Sequence, residues 1–202
     1  MESTTDRRKI RSRQYLTQAL LDLMQEKDFE QITIHDLVSQ AYVSRSTFYF
    51  QFEDKYDFLN AIIDEVLSDL RRETKVDSAK AQEIEWKSRK YYEKHFDYIY
   101  RNAHFFQTML GKHGTPLFRK KLEESAYLTY HNLFMEYSLN EQSEPMDYFI
   151  QYIISAHIGV TVKWIDAGLQ EPPAFMADLL TRITFQGLFH GLGLDSYIQL
   201  PQ

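Results

Sequence analysis

Apolar residues recur at helical spacing along most of the chain, and no convincing run of strands appears. Leu16, Leu20, Leu23 and Met24 illustrate the pattern and predict an amphipathic helix over about residues 8–27. Comparable spacing predicts further helices over about residues 33–41, 44–51, 54–72, 80–101, 103–111, 116–138, 146–167 and 173–191, with a loop over residues 140–145. The fold class is therefore predicted to be all-α, with about nine helices.

Residues with capping chemistry stand at several predicted helix ends. Thr33 and Ser44 suit the N-caps of two short helices, because a hydroxyl oxygen accepts from an unpaired amide. Gly168 suits a helix stop, and Pro172 with Pro173 suits the start of the last helix. The helix over 146–167 is apolar on nearly every side, which predicts burial in a domain or at a subunit interface.

Composition excludes several classes of protein. The 202 residues include no cysteine, so disulfide scaffolds, thiolate metal sites and cysteine nucleophiles are excluded. The longest stretch without a charged residue, Tyr148 to Val162, falls short of the roughly 18 apolar residues that a spanning helix needs. The basic N-terminus is not followed by an apolar signal core. We therefore expect a cytoplasmic protein without a membrane partner.

Positive charge is concentrated at the N-terminus of an acidic chain. The net charge is −6, yet residues 7–13 carry five Arg or Lys and no acidic residue. A small basic patch can bind phosphates locally, because screening confines each charge to about 10 Å. A solvated, frayed tail explains the same charges equally well.

The pair of short helices over about 33–51 has the features of a helix-turn-helix. Its second helix begins Ser44-Arg45-Ser46-Thr47 and keeps Phe48 for the core. Arginine can donate two hydrogen bonds to a guanine edge, and short hydroxyl side chains allow a close approach to DNA. Periodicity by itself is equally consistent with a helical hairpin in a core.

The order of residues in this region resembles the DNA-binding signature of TetR/AcrR-type transcriptional regulators. The resemblance is dense over about residues 10–60 and includes Thr33-Ile-His-Asp36, Val43-Ser44, Thr47-Phe-Tyr-Phe-Gln-Phe52 and Lys55. It implies a helix-turn-helix domain over 1–55, a connecting helix over 54–72, and an effector-binding and dimerisation domain over 73–202.

The resemblance also implies roles for individual residues in binding double-stranded DNA. Ser44 opens the recognition helix, Arg45, Ser46 and Thr47 would contact bases or adjacent phosphates, and Tyr49 would touch the DNA backbone. Thr33, through its amide and hydroxyl, and Lys55 would hold phosphates. Arg8, Lys9, Arg11 and Arg13 would form a basic arm. One position departs from the family pattern: Tyr42 stands where Gly or Asn is usual, in a turn that tends to need a positive φ.

The C-terminal half has a weaker resemblance. Residues 159–173 are similar to a C-terminal type found in small TetR-like regulators of Gram-positive bacteria, a subgroup that includes the activator of dihydroxyacetone-kinase operons. It implies a homodimer that reads an inverted-repeat operator and is paired through its last two helices. Ile153, Val160, Trp164, Leu180, Ile183 and Gly187 are the predicted interface residues, with Gly191 continuing the stripe of the last helix.

Aromatic residues in the middle helices could line a cavity for a small apolar or aromatic effector. The candidates are Phe96, Tyr100, Phe105, Phe106, Met109, Phe134 and Tyr137, with His131 and His157 as polar groups. Each of them alone is more often an ordinary core residue. No metal site, cofactor or catalytic residue is expected, because the histidines are dispersed and no nucleophile elbow occurs.

Three functions follow from these features. The first is a homodimeric repressor released from DNA by a small molecule. The second is a regulator or coactivator controlled by a protein partner instead of a small ligand. The third is an all-α enzyme or carrier that keeps the helix-turn-helix domain only as structure.

Overall fold

A computed structural model describes residues 4–76, 84–136 and 146–191, and all regular elements in these ranges are helical. The helices are α1 (Thr4–Glu26), α2 (Ile34–Gln40), α3 (Arg45–Tyr49), α4 (Lys55–Thr74), α5 (Ile84–Arg101), α6 (Ala103–Leu110), α7 (Pro116–Glu136), α8 (Met146–Asp166) and α9 (Pro173–Gly191). The all-α prediction is confirmed. A short 3₁₀ helix at Phe29–Gln31 occupies the connection after α1, and the predicted loop over 140–145 lies outside the described residues.

The predicted caps form in the structure. Thr33 Oγ1 accepts from the Asp36 amide at 3.1 Å while Asp36 Oδ2 accepts from the Thr33 amide at 3.0 Å, a reciprocal capping box. Ser44 Oγ accepts from the Thr47 amide at 3.1 Å. α8 ends at Asp166, Gly168 two residues later has a φ of 79° that fits a left-handed cap, and Pro173 begins α9.

The chain folds into two compact units, and each unit is built from two segments of the sequence. The first unit comprises Met1–Ser68 and His104–Glu124, and the second comprises Asp69–Ala103 and Ser125–Gln202. These are units of packing, whereas the division predicted near residues 55 and 73 is one of function and stays a prediction.

The core of the first unit joins aliphatic residues of α1 to an aromatic cluster. Leu16 and Leu20 are fully buried, as are Phe48 and Phe58. Phe52 lies between the two phenylalanines, with ring centroids 5.5 Å from Phe48 and 4.9 Å from Phe58. Edge and tilted ring pairs at such distances add about 0.5–1.5 kcal/mol each to the stability gained from burial. This cluster fixes α3 against the start of α4.

In the second unit, α5 packs along α9. Phe96 of α5 is fully buried and meets Trp164 of α8 edge-on at 5.3 Å. Regular helical backbone in α9 is interrupted at Gly187, where φ is 76° and ψ is 167°. The predicted stripe of α9 therefore ends at Gly187, and Gly191 does not continue it in helical register.

Candidate nucleic-acid interface and ligand cavity

The turn between α2 and α3 is closed by a non-glycine residue in the left-handed region. Tyr42 has a φ of 54°. Its amide donates to the Ser39 carbonyl at 3.3 Å, and the Val43 amide donates to the Val38 carbonyl at 3.0 Å. These two bonds make a Schellman motif, in which the residue at the position of Tyr42 is usually glycine. The positive φ expected from the sequence is confirmed, and the tyrosine ring is 97% exposed.

Helix α3 packs one face into the core and exposes an arginine on the other face. Phe48 is buried, whereas Arg45 and Tyr49 are exposed. Ser44 Oγ lies 2.8 Å from both Ser46 Oγ and Thr47 Oγ1, which organises the hydroxyl groups at the start of the helix. Within the described part of the chain, Arg45 has no hydrogen bond or ion pair. Its guanidinium is therefore available to an external acceptor.

A concavity of about 350 Å³ joins the N-terminal part of α1 to the outer face of α3. Arg8 and Lys9 line it from α1, and Ser46 and Thr47 line it from α3. The side chain of Gln51 fixes the two helices, because its Nε2 donates to Ser12 Oγ at 2.9 Å and to the Thr47 carbonyl at 3.3 Å. Phe50 also lines this concavity and is exposed. The fold thus brings together basic and hydroxyl groups that are distant in sequence.

Arg11 and Arg13 differ from the other two residues of the predicted basic arm. Arg11 is exposed and its Nε donates to the Tyr15 hydroxyl at 2.8 Å, which leaves its terminal nitrogens outward. Arg13 turns inward: its Nε lies 2.8 Å from Glu65 Oε2, and its Nη2 donates to the Ala61 carbonyl at 3.0 Å. Arg13 therefore ties α1 to α4, and its predicted place in the basic arm is corrected.

The predicted phosphate contact of Thr33 is restricted to its hydroxyl hydrogen. The Thr33 amide already donates to the carboxylate of Asp36. Lys27 Nζ, 2.8 Å from Asp36, and the Thr33 amide together lower the pKa of Asp36 to about 2, so that the carboxylate keeps its charge. An amide bound to a stable carboxylate is not free to hold a phosphate.

Lys55 has an internal role that the sequence did not indicate. Its ammonium donates to the carbonyls of Phe29 at 3.1 Å, Glu30 at 2.9 Å and Ile32 at 3.0 Å. It also lies 4.8 Å from the centre of the Phe29 ring. An ammonium group has three N–H donors, and all three are used here. A phosphate contact by Lys55 would require one of these bonds to break.

A cavity of about 350 Å³ lies in the second unit, between the end of α4, α5 and α7. Three tyrosine rings contribute to its wall: Tyr91, Tyr92 and Tyr130. The Tyr91 ring stacks on His95 with centroids 5.7 Å apart. Burial lowers the pKa of His95 to about 4, so this imidazole is neutral at physiological pH.

His157 connects two of these tyrosines to α9. Its Nδ1 lies 2.5 Å from the Tyr130 hydroxyl, and its Nε2 lies 3.4 Å from the Tyr92 hydroxyl and 3.1 Å from Thr184 Oγ1. Burial, with a smaller contribution from His95, lowers the pKa of His157 to about 4. A neutral imidazole therefore links the cavity wall to α8 and α9.

Two family models match the chain. Residues 16–62 match the model of bacterial regulatory proteins of the tetR family, and residues 87–186 match the model of a transcriptional regulator C-terminal region. Together they cover well over half of the sequence. The chain belongs to the TetR family of bacterial transcriptional regulators.

Other transcriptional regulators share part of the sequence or the fold. A segment of 63 residues is 38% identical to an uncharacterised HTH-type transcriptional regulator, YxbF, from Bacillus subtilis (strain 168), and spans 31% of this chain but only 17% of that relative. A tetR-family transcriptional regulator from Streptomyces coelicolor superposes with a TM-score of 0.64 at 18% identity, covering 92% of this chain and 84% of that one.

Two further solved structures have the same fold. The TetR transcriptional regulator from Streptococcus agalactiae 2603V has a TM-score of 0.60 at 20% identity, covering 89% of this chain and 96% of its own. The fatty acid degradation regulator FadR from Bacillus halodurans has a TM-score of 0.65 at 18% identity, covering 87% of this chain and 98% of its own. At these identities the likeness shows the fold alone.

The predicted effector residues of this TetR-family protein do not share one cavity. Phe105, Phe106 and Met109 lie in the core of the first unit. In the second unit Phe96 is buried against Trp164, Tyr100 is half-exposed, and His131 stacks on Tyr127. The side chain of Phe134 and all of Tyr137 lie outside the described part. Of the predicted residues, His157 contacts two tyrosines of the observed cavity wall, and these tyrosines carry no signal in the sequence beyond their helical spacing.

The predicted dimer residues divide into buried and accessible ones. Trp164 and Leu180 are 3% and 2% exposed, so they pack inside their own protomer, and their predicted place at an interface is corrected. Ile153, Val160 and Ile183 are partly exposed and Gly187 is exposed. Larger exposed side chains, which were not among the predicted interface residues, also lie on α8: Tyr148, Phe149 and Tyr152.

None of the helices in 4–76, 84–136 and 146–191 is long and apolar enough to cross a membrane. The same residues contain no group of three or more His, Asp or Glu side chains arranged to hold a metal ion.

Proposed function

We propose that this TetR-family protein is a cytoplasmic homodimeric repressor that binds an inverted-repeat operator through α3 of each protomer and leaves it when a small molecule occupies the cavity. Residues 1–55 would form the DNA-binding domain, residues 54–72 the connection, and residues 73–202 the effector and dimerisation domain. The cavity in the second unit favours a small-molecule effector over a protein partner.

The guanidinium of Arg45 at the start of α3, which has no hydrogen bond or ion pair among the described residues, carries the proposal. Packing of α3 in a core does not require an exposed arginine among three hydroxyl residues. A recognition helix does require one, because arginine binds a guanine edge in the major groove. Tyr49 is exposed on the same short helix and can donate to a phosphate.

Phosphate contacts are assigned to the groups that the fold leaves accessible. Arg8 and Lys9 line the concavity beside Ser46 and Thr47, so a DNA strand against α3 would also meet α1. The terminal nitrogens of Arg11 and the hydroxyl of Thr33 belong to the same proposed set. Ser44 supports this set by capping α3. Lys55 is left out because its donors are all used inside the protein.

The exposed face of α8 supports dimerisation by a second copy of the chain. Tyr148 and Tyr152 are 79% and 71% exposed and lie one helical turn apart, with Phe149 beside them. Contiguous exposed aromatic residues on a helix mark an interaction surface. Farther along this face a Cβ added at Gly159 would meet nothing within 4 Å, which leaves room for a helix to approach. A two-fold dimer places two recognition helices one DNA turn apart, at about 34 Å.

We also propose that the protein belongs to the subgroup of small TetR-like regulators that includes the activator of dihydroxyacetone-kinase operons. This assignment rests on the sequence of residues 159–173 and on the match of the C-terminal half to a transcriptional regulator model.

Selection of bound duplexes from a random DNA pool, carried out at two salt concentrations, tests the proposal. The expected result is enrichment of an inverted repeat whose affinity falls steeply with salt. A double variant, Arg8→Gln with Lys9→Gln, should keep the same sequence preference and reduce the salt slope by about 4, because each protomer of the dimer loses two phosphate contacts and each lost contact reduces the slope by about 1. Sequence-blind binding by the unchanged protein would contradict the proposal.

A further inference from the structure

The cavity of the second unit carries positive charge on one side. Arg71 lines it from the last turn of α4, and Lys75 lines it from the position directly after this helix. Among the described residues that line this cavity, none is Asp or Glu. An anionic group entering there would meet two cations and no competing carboxylate.

The surrounding acidic residues of α4 are already engaged elsewhere. Asp69 is paired with Arg72 at 2.7 Å, and Glu73 is paired with Arg101. Arg71 has no carboxylate partner among the described residues. Its Nη1 instead donates to Ser125 Oγ at 3.0 Å, and Ser125 is buried. One edge of the guanidinium is therefore held in place while its other donors remain available.

The part of the cavity that α5 and α7 line is suited to a flat ring. Tyr91, Tyr92 and Tyr130 present three aromatic rings, and Leu133 adds an aliphatic surface. Aromatic pairs are favourable in offset-stacked or edge-to-face arrangements, so a ring can enter such a wall in more than one orientation. The volume of about 350 Å³ lies at the small end of the range for ligand pockets.

We propose that this cavity binds a small aromatic carboxylate, with its carboxylate group against Arg71 and Lys75 and its ring among the three tyrosines. This inference names the chemical class of the effector and rests on the effector-controlled function proposed above. A carboxylate matches the planar guanidinium fork, which donates two parallel hydrogen bonds to it. Arg71 is therefore the residue expected to distinguish an acid from its neutral amide.

Binding of matched probes to the full-length protein tests the assignment. The probes are benzoate, salicylate and cinnamate, with benzamide, salicylamide and cinnamamide as neutral analogues of the same shape and acetate as a charge without a ring. At least one aromatic carboxylate should raise Tm and bind in calorimetry at least 10-fold more tightly than its amide, whereas acetate should not bind measurably.

Substitutions should locate the bound carboxylate. Arg71→Gln should weaken binding of the best carboxylate at least 10-fold and leave any residual binding of its amide unchanged. Arg71→Lys, which keeps the charge but loses the fork, should show a smaller loss. Arg72→Gln is the matched control, because Arg72 neighbours Arg71 but does not line the cavity, and it should bind the carboxylate as the unchanged protein does.

The outcomes separate this inference from the function on which it rests. If no carboxylate binds, or if the amides bind equally well, the inference is wrong even when the protein still binds its selected duplex. If a carboxylate binds through Arg71 but the duplex is not released, the site stands and the proposed control by an effector fails. If no duplex is selected at all, the calorimetry still decides the ligand class.

Discussion

The ammonium group of Lys55 lies 3.0 Å from the carbonyl oxygen of Ile32, although the two residues are 23 positions apart. Lys55 begins α4, and Ile32 follows the 3₁₀ helix at Phe29–Gln31. The last carbonyls of a helical segment lack donors from their own helix, and the ammonium supplies them. This contact fixes the connection between α1 and α2 to the start of α4.

Replacing Lys55 by methionine is expected to reduce stability more than DNA affinity. Lys55→Met keeps most of the aliphatic stem but leaves three carbonyls without their charged donor, which should lower the free energy of unfolding by about 2 kcal/mol. Urea denaturation measures the change. Lys112→Met, at an exposed lysine, is the control and should have little effect. Unchanged stability together with uniformly weaker binding to all duplexes would instead support a phosphate contact by Lys55.

The left-handed conformation of Tyr42 predicts that a better-suited residue stabilises the turn. Tyr42→Asn should raise the free energy of unfolding by about 0.5–1 kcal/mol, because a left-handed φ costs about 1–2 kcal/mol for an ordinary L-residue and less for Asn. The lost ring is almost wholly exposed and contributes little burial. Tyr42→Val should have the opposite sign, because a β-branched residue fits this region poorly. Equal stability of the two variants would show that the turn is not strained.

Arg45 is expected to set sequence preference. Arg45→Ala should cost about 1–3 kcal/mol per half-site of the selected operator and relax the choice of base at one position in each half-site, as expected for loss of a bidentate guanine contact. Titration of duplexes substituted at single positions measures both effects. Arg119→Ala, at an exposed arginine of α7, is the control. Equal losses on every duplex would assign Arg45 to a phosphate instead of a base.

The α8 surface predicts that a single charge disrupts the dimer. Tyr152→Glu should convert the dimer to a monomer at micromolar concentration, because a carboxylate would be placed without a partner in an apolar interface. Sedimentation velocity distinguishes the two states. Leu128→Glu, at an exposed apolar residue of α7, is the matched control and should leave the protein dimeric. A dimeric Tyr152→Glu variant would exclude this face of α8 from the interface.

The partly buried imidazole of His157 predicts a loss of stability in mild acid. Its pKa is lowered to about 4, whereas an unfolded histidine takes up its proton near 6.5, so the unfolded state binds more protons between these values. Stability should therefore fall as the pH decreases from about 6.5 to about 4. His157→Gln, which does not titrate, should show a shallower decline in urea denaturation from pH 7.5 to 5.

The free energy of unfolding at pH 7.5 separates the loss of hydrogen bonds from the loss of titration in His157→Gln. At this pH the lost hydrogen bonds lower stability without any contribution from titration. Identical slopes for the unchanged protein and His157→Gln would show that this imidazole is not responsible for the acid sensitivity.

Much of the fold and part of the candidate site could be predicted from the sequence. The helical spacing of apolar residues predicted the helices, the hydroxyls of Thr33 and Ser44 predicted two caps, and the position of Tyr42 predicted a positive φ. The burial of Phe48 was predicted from the same local pattern. These features depend on residues within a few positions of one another, so they can be predicted from the sequence.

Tertiary structure decided which side chains remain available for binding. The sequence could not show that Arg13 pairs with Glu65, that Lys55 reaches the carbonyl of Ile32, or that Trp164 lies inside its own protomer. It also gave no sign that Tyr92 and Tyr130 would meet His157 beside a cavity. Each of these contacts joins helices distant in the chain, and its geometry depends on how those helices pack. Local periodicity determines which face of a helix is apolar, whereas only the packed fold determines which polar groups find a partner within it.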